Sequence, residues 1–341
     1  MNAPDTSSPE AHDEFGTLKS VVVWGGTSEE HLTAATGQTM EEILQTVQMH
    51  RKDMPEKICE HLAFATLLKE SGVELVYPQH PKLGLNYPNV TTACGPDPYC
   101  RDYVGVVDTT LYRTKVPEWR MSSHFLYQNI FDRVSPDHKQ ELEALFSWGN
   151  GMLYEDCVLT TFPTQNALGQ FLLQQNQEAQ LEALQHFDDE RRGQKMLEQA
   201  LCASDPQRRL LRIMLNCHSD IDFVLAPLPQ KKRGGVRRAL VQQERLSPEA
   251  IEALQELFDL LLPISDPENV LGANILWLDP ETAVVASEAK NTAACLETFG
   301  FNVKRLPMTG IWEGLNVDNH FAGGWRCMVS PLKRDNDSIA T

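Results

Sequence analysis

Asn319-His320-Phe321-Ala322-Gly323-Gly324-Trp325-Arg326-Cys327-Met328-Val329-Ser330-Pro331-Leu332-Lys333-Arg334 is the stretch on which the reading of this 341-residue chain turns. A double glycine ahead of a single cysteine lets the backbone approach a ligand closely or take a positive φ. That would seat a nucleophilic thiol at a loop-to-strand junction. The same pattern also fits a buried small hydrophobe after a turn, because free cysteine is among the most buried residue types. The rest of the chain has to decide between them.

A hydrophobic fraction of 42% is enough for a sizeable core. No run of about 18 apolar residues is present, so no membrane span is expected. Met1 to Glu14 is polar and acidic, without the basic and apolar regions of a signal peptide, so it reads as a flexible tail on a cytoplasmic protein. The net charge of −17 argues against a phosphate backbone as partner, and Lys231-Lys232-Arg233-Gly234-Gly235-Val236-Arg237-Arg238 reads as an exposed basic loop. The eight cysteines form no CxxC pair and show no zinc spacing, so reduced thiols and no metal are expected.

Short apolar runs alternate with helical patterns, which predicts an α/β protein. Leu18 to Trp24 reads as a buried strand, Pro55 to Glu70 as a helix closed by Gly72, and Val73 to Tyr77 as a second strand. The same unit returns near the C-terminus: helix Asn291 to Phe299, Gly300, strand Phe301 to Leu306, with the two copies slipped by about one residue. Asn274 to Leu278 and Ala283 to Ala286 precede that second copy, making a strand-strand-helix-strand module. Further short apolar runs are Val104 to Val107, Met152 to Thr160 and Phe223 to Leu228. Ala167 to Leu215 reads as a helical elaboration, and Ser247 with Pro248 as the N-cap and first turn of a helix to Leu262.

Four clusters set acids or a histidine beside short apolar runs. Arg101-Asp102 precedes Val104 to Val107; Glu155-Asp156 interrupts Met152 to Thr160; His218-Ser219-Asp220-Ile221-Asp222 precedes Phe223 to Leu228; and Cys327 closes the set. Read as an extended strand, the third would put His218, Asp220 and Asp222 on one face.

Together these residues resemble the superfamily of guanidino-group-modifying enzymes: amidinotransferases, arginine deiminases and dimethylarginine hydrolases. Arg101-Asp102 is similar to its Arg-Asp motif, His218-Ser219-Asp220 to its His-x-Asp, and Gly272-Ala273-Asn274-Ile275-Leu276-Trp277-Leu278 to the small-x-Asn strand of its last module. Gly323-Gly324-Trp325-Arg326-Cys327-Met328 with Pro331-Leu332 and Arg334 resembles its catalytic-cysteine signature. The resemblance implies a five-bladed, pseudo-symmetric α/β propeller of ββαβ modules, forming a single domain over 15–335 with a helical elaboration at about 167–215 and tails at 1–14 and 336–341.

The implied roles follow from guanidine chemistry. A guanidinium carbon is a poor electrophile, so paired carboxylates must fix the planar cation for attack. The resemblance gives that task to Asp102 and Asp220, with Arg101 and Asn274 also on the substrate. Cys327 is the implied nucleophile, and its thiol needs a nearby cation or imidazolium to ionise. His218 is the implied acid-base, oriented by Glu155 or Asp156. The family's usual acidic motif separates its two acids by two small residues, whereas here they are adjacent, so the choice between them stays open.

No organic cofactor is implied. The expected partners are an arginine-like guanidino substrate and an amine acceptor, with no nucleic acid and no membrane; an oligomer is compatible with the sequence. Length and the placement of Trp119-Arg120 and Tyr127 to Val134 favour an amidinotransferase. The Arg-Cys-Met form of the cysteine loop favours a deiminase-type hydrolase, and a non-catalytic binding protein on the same scaffold is a third reading.

Overall fold

A helix closed by glycine and followed by a strand is the unit from which this chain is assembled. Gly72 and Gly300 both have φ +78, the left-handed conformation that favours glycine. In one copy the Gly72 and Val73 N–H groups donate to the carbonyls of Lys69 and Leu68; in the other, Gly300 and Phe301 donate to Glu297 and Leu296. The two copies therefore close their helices in the same register at the glycine, without the expected slip.

The computed structural model describes residues 8–23, 33, 37–42, 44–45, 54–77, 100–115, 127–217, 219–232, 234–264, 271–308 and 324–335. Within them are five three-stranded sheets, and in each a central strand pairs antiparallel with one neighbour and parallel with the other. The second module runs β3 (Val104–Val107), β4 (Thr110–Lys115), α2 (Gln128–Arg133), β5 (Lys139–Leu145). The third runs β6 (Met152–Tyr154), β7 (Cys157–Pro163), α3 (Gln165–Leu173), α4 (Gln177–Ser204), β8 (Arg209–Leu215). The fourth is β9 (Leu225–Leu228), β10 (Arg238–Val241), α5 (Pro248–Leu257), β11 (Leu260–Pro263). The fifth is β12 (Leu276–Asp279), β13 (Thr282–Ala286), α6 (Lys290–Thr298), β14 (Asn302–Leu306).

The first module is split between the chain ends. β1 (Thr17–Val23), α1 (Met54–Glu70) and β2 (Glu74–Val76) take their antiparallel strand from β15 (Val329–Asp335), in register from Thr17↔Asp335 to Val23↔Val329. The chain thus has the expected five ββαβ modules, the first completed by its last strand. Among the described residues no helix is long and apolar enough to cross a membrane.

Several expectations change. Residues 8–14 are not a loose tail: Ala11 and Glu14 are buried, and Glu10 N–H donates to the Leu332 carbonyl. Polar composition concealed this, because Glu14 is held by charge pairing rather than by apolar periodicity. The helical elaboration ends at Ser204, and Arg209–Leu215 is a strand parallel to β7, so α3 and α4 occupy the ordinary helical crossover of the third module. Met152 to Thr160 is a hairpin that turns at Glu155-Asp156. Ser247 caps α5 as expected, its Oγ accepting from Ala250 N–H at 3.1 Å, but the helix stops at Leu257. Leu260-Leu261-Leu262 favours helix by propensity, and parallel pairing with β10 overrides it.

Candidate active site

Cys327 sits at the end of a turn that opens on Gly324, its N–H donating to the Gly324 carbonyl at 3.1 Å. β15 begins two residues later, so the thiol stands at a loop-to-strand junction. The Cys327 carbonyl accepts from Arg101 N–H at 3.2 Å, and Ser330 Oγ donates to the Val104 carbonyl at 2.6 Å. These bonds place Arg101-Asp102 alongside the cysteine turn.

Two side chains hydrogen-bond the sulfur. Asn274, just before β12, donates from Nδ2 to Cys327 Sγ and to Asp222 Oδ2, both at 3.0 Å, while its Oδ1 accepts from Arg326 N–H at 2.9 Å. The thiol itself donates to Asp222 Oδ2 at 2.9 Å. Gly324 makes room for this arrangement: a Cβ there would lie 2.1 Å from Asn274 Oδ1. The glycine is required by the close approach of a side chain rather than by a positive φ. Gly323 lies outside the described residues.

Asp222 is completely buried, and its other oxygen, Oδ1, has no hydrogen-bond partner among the described residues. A buried acceptor left open costs about 1–3 kcal/mol, more when charged. Burial pushes the Asp222 carboxyl above its usual range, although Arg326, Cys327 and Arg101 oppose that rise. The Cys327 thiol is also pushed well up, first by burial and then by the charge and hydrogen bond of Asp222, with Asp102 adding to it. Both effects favour the protonated form of the thiol. Asp102, itself buried, accepts from Ser147 Oγ at 2.6 Å, and a Cβ on Gly149 would approach its Oδ1 to 2.4 Å.

Beneath this layer, Arg326 joins distant parts of the chain. Nη1 donates to Asp222 Oδ2 at 3.0 Å and to the Gly149 carbonyl at 3.3 Å; Nη2 donates to the Gly151 carbonyl at 2.7 Å and to Glu14 Oε1 at 3.0 Å. Arg101 Nη2 holds both Glu14 oxygens, at 3.0 and 2.9 Å. Burial alone would raise the Glu14 carboxyl, but Arg101, Arg326 and Arg334 outweigh it and bring it from 4.5 to about 2.

A carboxyl depressed in the folded state contributes stability that is present above its unfolded pKa and lost as pH falls through the folded value. The shift corresponds to roughly 3 kcal/mol. Glu14→Gln is accordingly expected to destabilise the protein by about 3 kcal/mol at pH 7. Denaturant midpoints measured across pH should show that deficit shrinking below about pH 4.5 and closing near about pH 2. A deficit independent of pH would show that the buried charge is not its source.

Not every expected site residue comes together. Arg101, Asp102, Asn274 and Cys327 do. Arg101 is engaged with Glu14, so it supports the site from below, while Asn274 positions the thiol. His218 lies outside the described residues. Residues 221–223 form a 3₁₀ turn rather than a strand, so Asp220 and Asp222 do not share a face. Asp222 reaches the sulfur; Asp220, half-exposed, precedes the turn and accepts from Phe223 N–H through its carbonyl at 3.2 Å.

Glu155 and Asp156 form the turn between β6 and β7, with Glu155 at φ 51, and both are exposed. Asp156 pairs with Arg209 at 3.0 Å, and the Glu155 carbonyl accepts from Arg208 at 2.5 Å. β6 leads away from Gly151 at the Arg326 end, so a three-residue strand separates this turn from the buried network. The structure does not bring either carboxylate to the thiol, and they read as solvated turn residues. Sequence reading missed Glu14, Arg326 and the part played by Asp222. Asp222 stood in the His218 cluster and needed only the turn to be recognised; Glu14 carried no local signal.

No family model matches this sequence, and no curated protein matches it. Solved structures do. An amidinotransferase of the saxitoxin biosynthetic pathway from Microseira wollei matches with a TM-score of 0.63 at 14% identity, over 96% of this chain and 97% of that one. The inosamine-phosphate amidinotransferase of Streptomyces griseus matches at 0.58 and 16% identity, over 96% and 97%. DDAH, a dimethylarginine dimethylaminohydrolase, from Pseudomonas aeruginosa, in a mutant complexed with citrulline, matches at 0.58 and 13% identity, over 92% and 99%.

Proposed function

We propose that this chain, whose fold is that of the guanidino-group-modifying enzymes, passes the amidino group of arginine or a related donor to an amine through Cys327. One observation carries the reading: the Cys327 thiol lies 2.9 Å from Asp222 Oδ2, while Asp222 Oδ1 is buried without a partner among the described residues. A planar cation with several N–H donors is the chemistry that such an oxygen lacks, and Asp102 supplies a second carboxylate near the same sulfur.

Guanidinium binding at Asp222 offsets the negative charge that holds the thiol protonated. The thiol proton passes to the carboxylate, the sulfur bonds to the guanidinium carbon, and the carbon–nitrogen bond to the departing amine breaks. His218 is proposed to protonate that amine as it leaves and then to take a proton from the incoming one. The second amine forms a bond to the carbon of the S-linked thiouronium, the carbon–sulfur bond breaks, and Cys327 recovers its proton. Asn274 keeps the sulfur aligned through both steps.

A hydrolytic reading replaces the second amine with water. An arginine dihydrolase of the ornithine–ammonia cycle in cyanobacteria, which matches with a TM-score of 0.57 at 11% identity, favours it alongside the dimethylaminohydrolase. The two amidinotransferases favour transfer, the first with a TM-score of 0.63 against 0.58 for the dimethylaminohydrolase. Incubation with guanidino-labelled arginine, with and without a pool of amines, separates the two. Label in a new guanidino compound only when an amine is present is the expected result. Citrulline, or ornithine with ammonia, formed without any amine would overturn transfer in favour of hydrolysis.

A further inference from the structure

Several site residues occupy one repeated place in the modules. Asp102 stands two residues before β3, Asn274 two before β12 and Cys327 two before β15. Asn150 holds the same place before β6, and the chemistry at Cys327 gives it no task. In the fourth module the place is taken by the 3₁₀ turn 221–223, which precedes β9 and carries Asp222.

Asn150 is buried, and its amide is fully engaged. Nδ2 donates to the Thr161 carbonyl and to Glu190 Oε1, both at 3.1 Å. Two acceptors fix the nitrogen, so the oxygen faces the other way. There Oδ1 accepts from Thr161 N–H at 3.0 Å and from Ile221 N–H at 3.1 Å. Ile221 opens the turn, and its N–H is one that a helical turn cannot satisfy internally. Asp220, at the N-cap, makes no side-chain hydrogen bond to the turn, so the cap comes from the preceding module. Thr161 Oγ1 lies 2.6 Å from both Asn150 Oδ1 and the Ser219 carbonyl, fastening the chain on the other side of Asp220.

Asn274 does the same for the cysteine. Its Oδ1 accepts from the N–H of Arg326, the residue before Cys327, as Asn150 Oδ1 accepts from the residue before Asp222. Asn150 is itself held in place: the carbonyls of Gly149 and Gly151 on either side accept from Arg326, whose Nη1 also holds Asp222 Oδ2. Asp222 is therefore located twice, at its carboxylate by Asn274 and Arg326 and at its backbone by Asn150.

We propose that Asn150 is a positioning residue for the reaction at Cys327, setting the turn that carries Asp222 as Asn274 sets the turn that carries the thiol. Its effect on turnover rests on the proposed transfer chemistry. Its effect on the thiol does not, because Asp222 bonds the sulfur in the resting protein. Without Asn150, Ile221 N–H is left buried and unsatisfied, and a displacement of about 1 Å at a reacting group can cost on the order of 10²-fold.

Asn150→Ala removes the cap while touching neither the sulfur nor the Asp222 carboxylate. Iodoacetamide labelling of Cys327 across pH, read by peptide mass spectrometry, tests it without any turnover. The labelling should move to lower pH by at least about half a unit, because after burial Asp222 is the main cause of the raised thiol. In an Asp222→Asn background the same change should add nothing, since changes that act through one group are not additive. With a guanidino donor, kcat/KM should fall by about 5- to 30-fold, the larger part in KM. Where Asn150→Ala does not fold, Thr161→Val, which exchanges a hydroxyl for a methyl, makes the same test, with a labelling shift in the same direction. An unchanged labelling profile in the folded variant, or an equal shift in the Asp222→Asn background, overturns the positioning role whatever the reaction. A shifted profile in a protein whose wild type turns over no guanidino donor supports the placement and overturns the transfer chemistry instead.

Discussion

Turnover of a guanidino donor is expected to fall by roughly 10⁴- to 10⁶-fold when Cys327 is replaced by Ala, the scale of loss when a covalent nucleophile is removed. The change deletes one buried sulfur between Asp222 and Asn274, in a turn whose backbone is held by hydrogen bonds to Gly324 and Arg101. Circular dichroism and chromatographic behaviour should therefore stay those of the wild type. Acid-quenched wild type should carry an amidino mass increment on the peptide containing Cys327, and the variant should carry none. A folded variant that retains near wild-type turnover would remove Cys327 from the chemistry.

Asp222→Asn should produce two effects of opposite sense. Removing the carboxylate takes away a principal contributor, after burial, to the raised thiol, so Cys327 should ionise at lower pH than in the wild type. Iodoacetamide labelling of Cys327, followed by peptide mass spectrometry, should shift to lower pH accordingly. Donor binding should weaken at the same time, because a charge-assisted hydrogen bond worth about 1.5–3 kcal/mol is lost, and kcat/KM should fall by roughly 10- to 150-fold. A thiol made more reactive toward a small alkylating agent while catalysis collapses is not the outcome of mere misfolding. An unchanged labelling profile together with an unchanged KM would mean that Asp222 neither governs the thiol nor holds the substrate.

Local patterns in the sequence carried much of the architecture. The helix–Gly–strand unit was legible twice, because a helix that ends in a left-handed glycine leaves its signature within ten residues. Val104 to Val107, the α5 cap at Ser247 and the closing strand after Cys327 were legible for the same reason: short-range hydrogen bonding and apolar runs are written next to each other in the chain. Asp102, Asn274 and Cys327 could be picked out from motifs whose residues are adjacent in sequence.

The remainder depends on which distant residues meet. The first module has β1 at one end of the chain and β15 at the other, and nothing local announces that pairing. Leu260 to Leu262 became a strand because β10 offered a parallel partner, which intrinsic propensity cannot foresee. Asp222 rather than Asp220 reached the sulfur because a single 3₁₀ turn replaced the extended backbone that alternation assumes. Glu14 is the clearest instance. From sequence it was the last residue of a polar tail, and in the structure it is the buried counter-charge of Arg101 and Arg326. By itself, then, the sequence determined the repeating unit and singled out Cys327 for the proposed chemistry. The tertiary structure alone decided which carboxylate faces that thiol and which charges are buried beneath it, because burial and charge pairing are properties of residues brought together from across the whole chain.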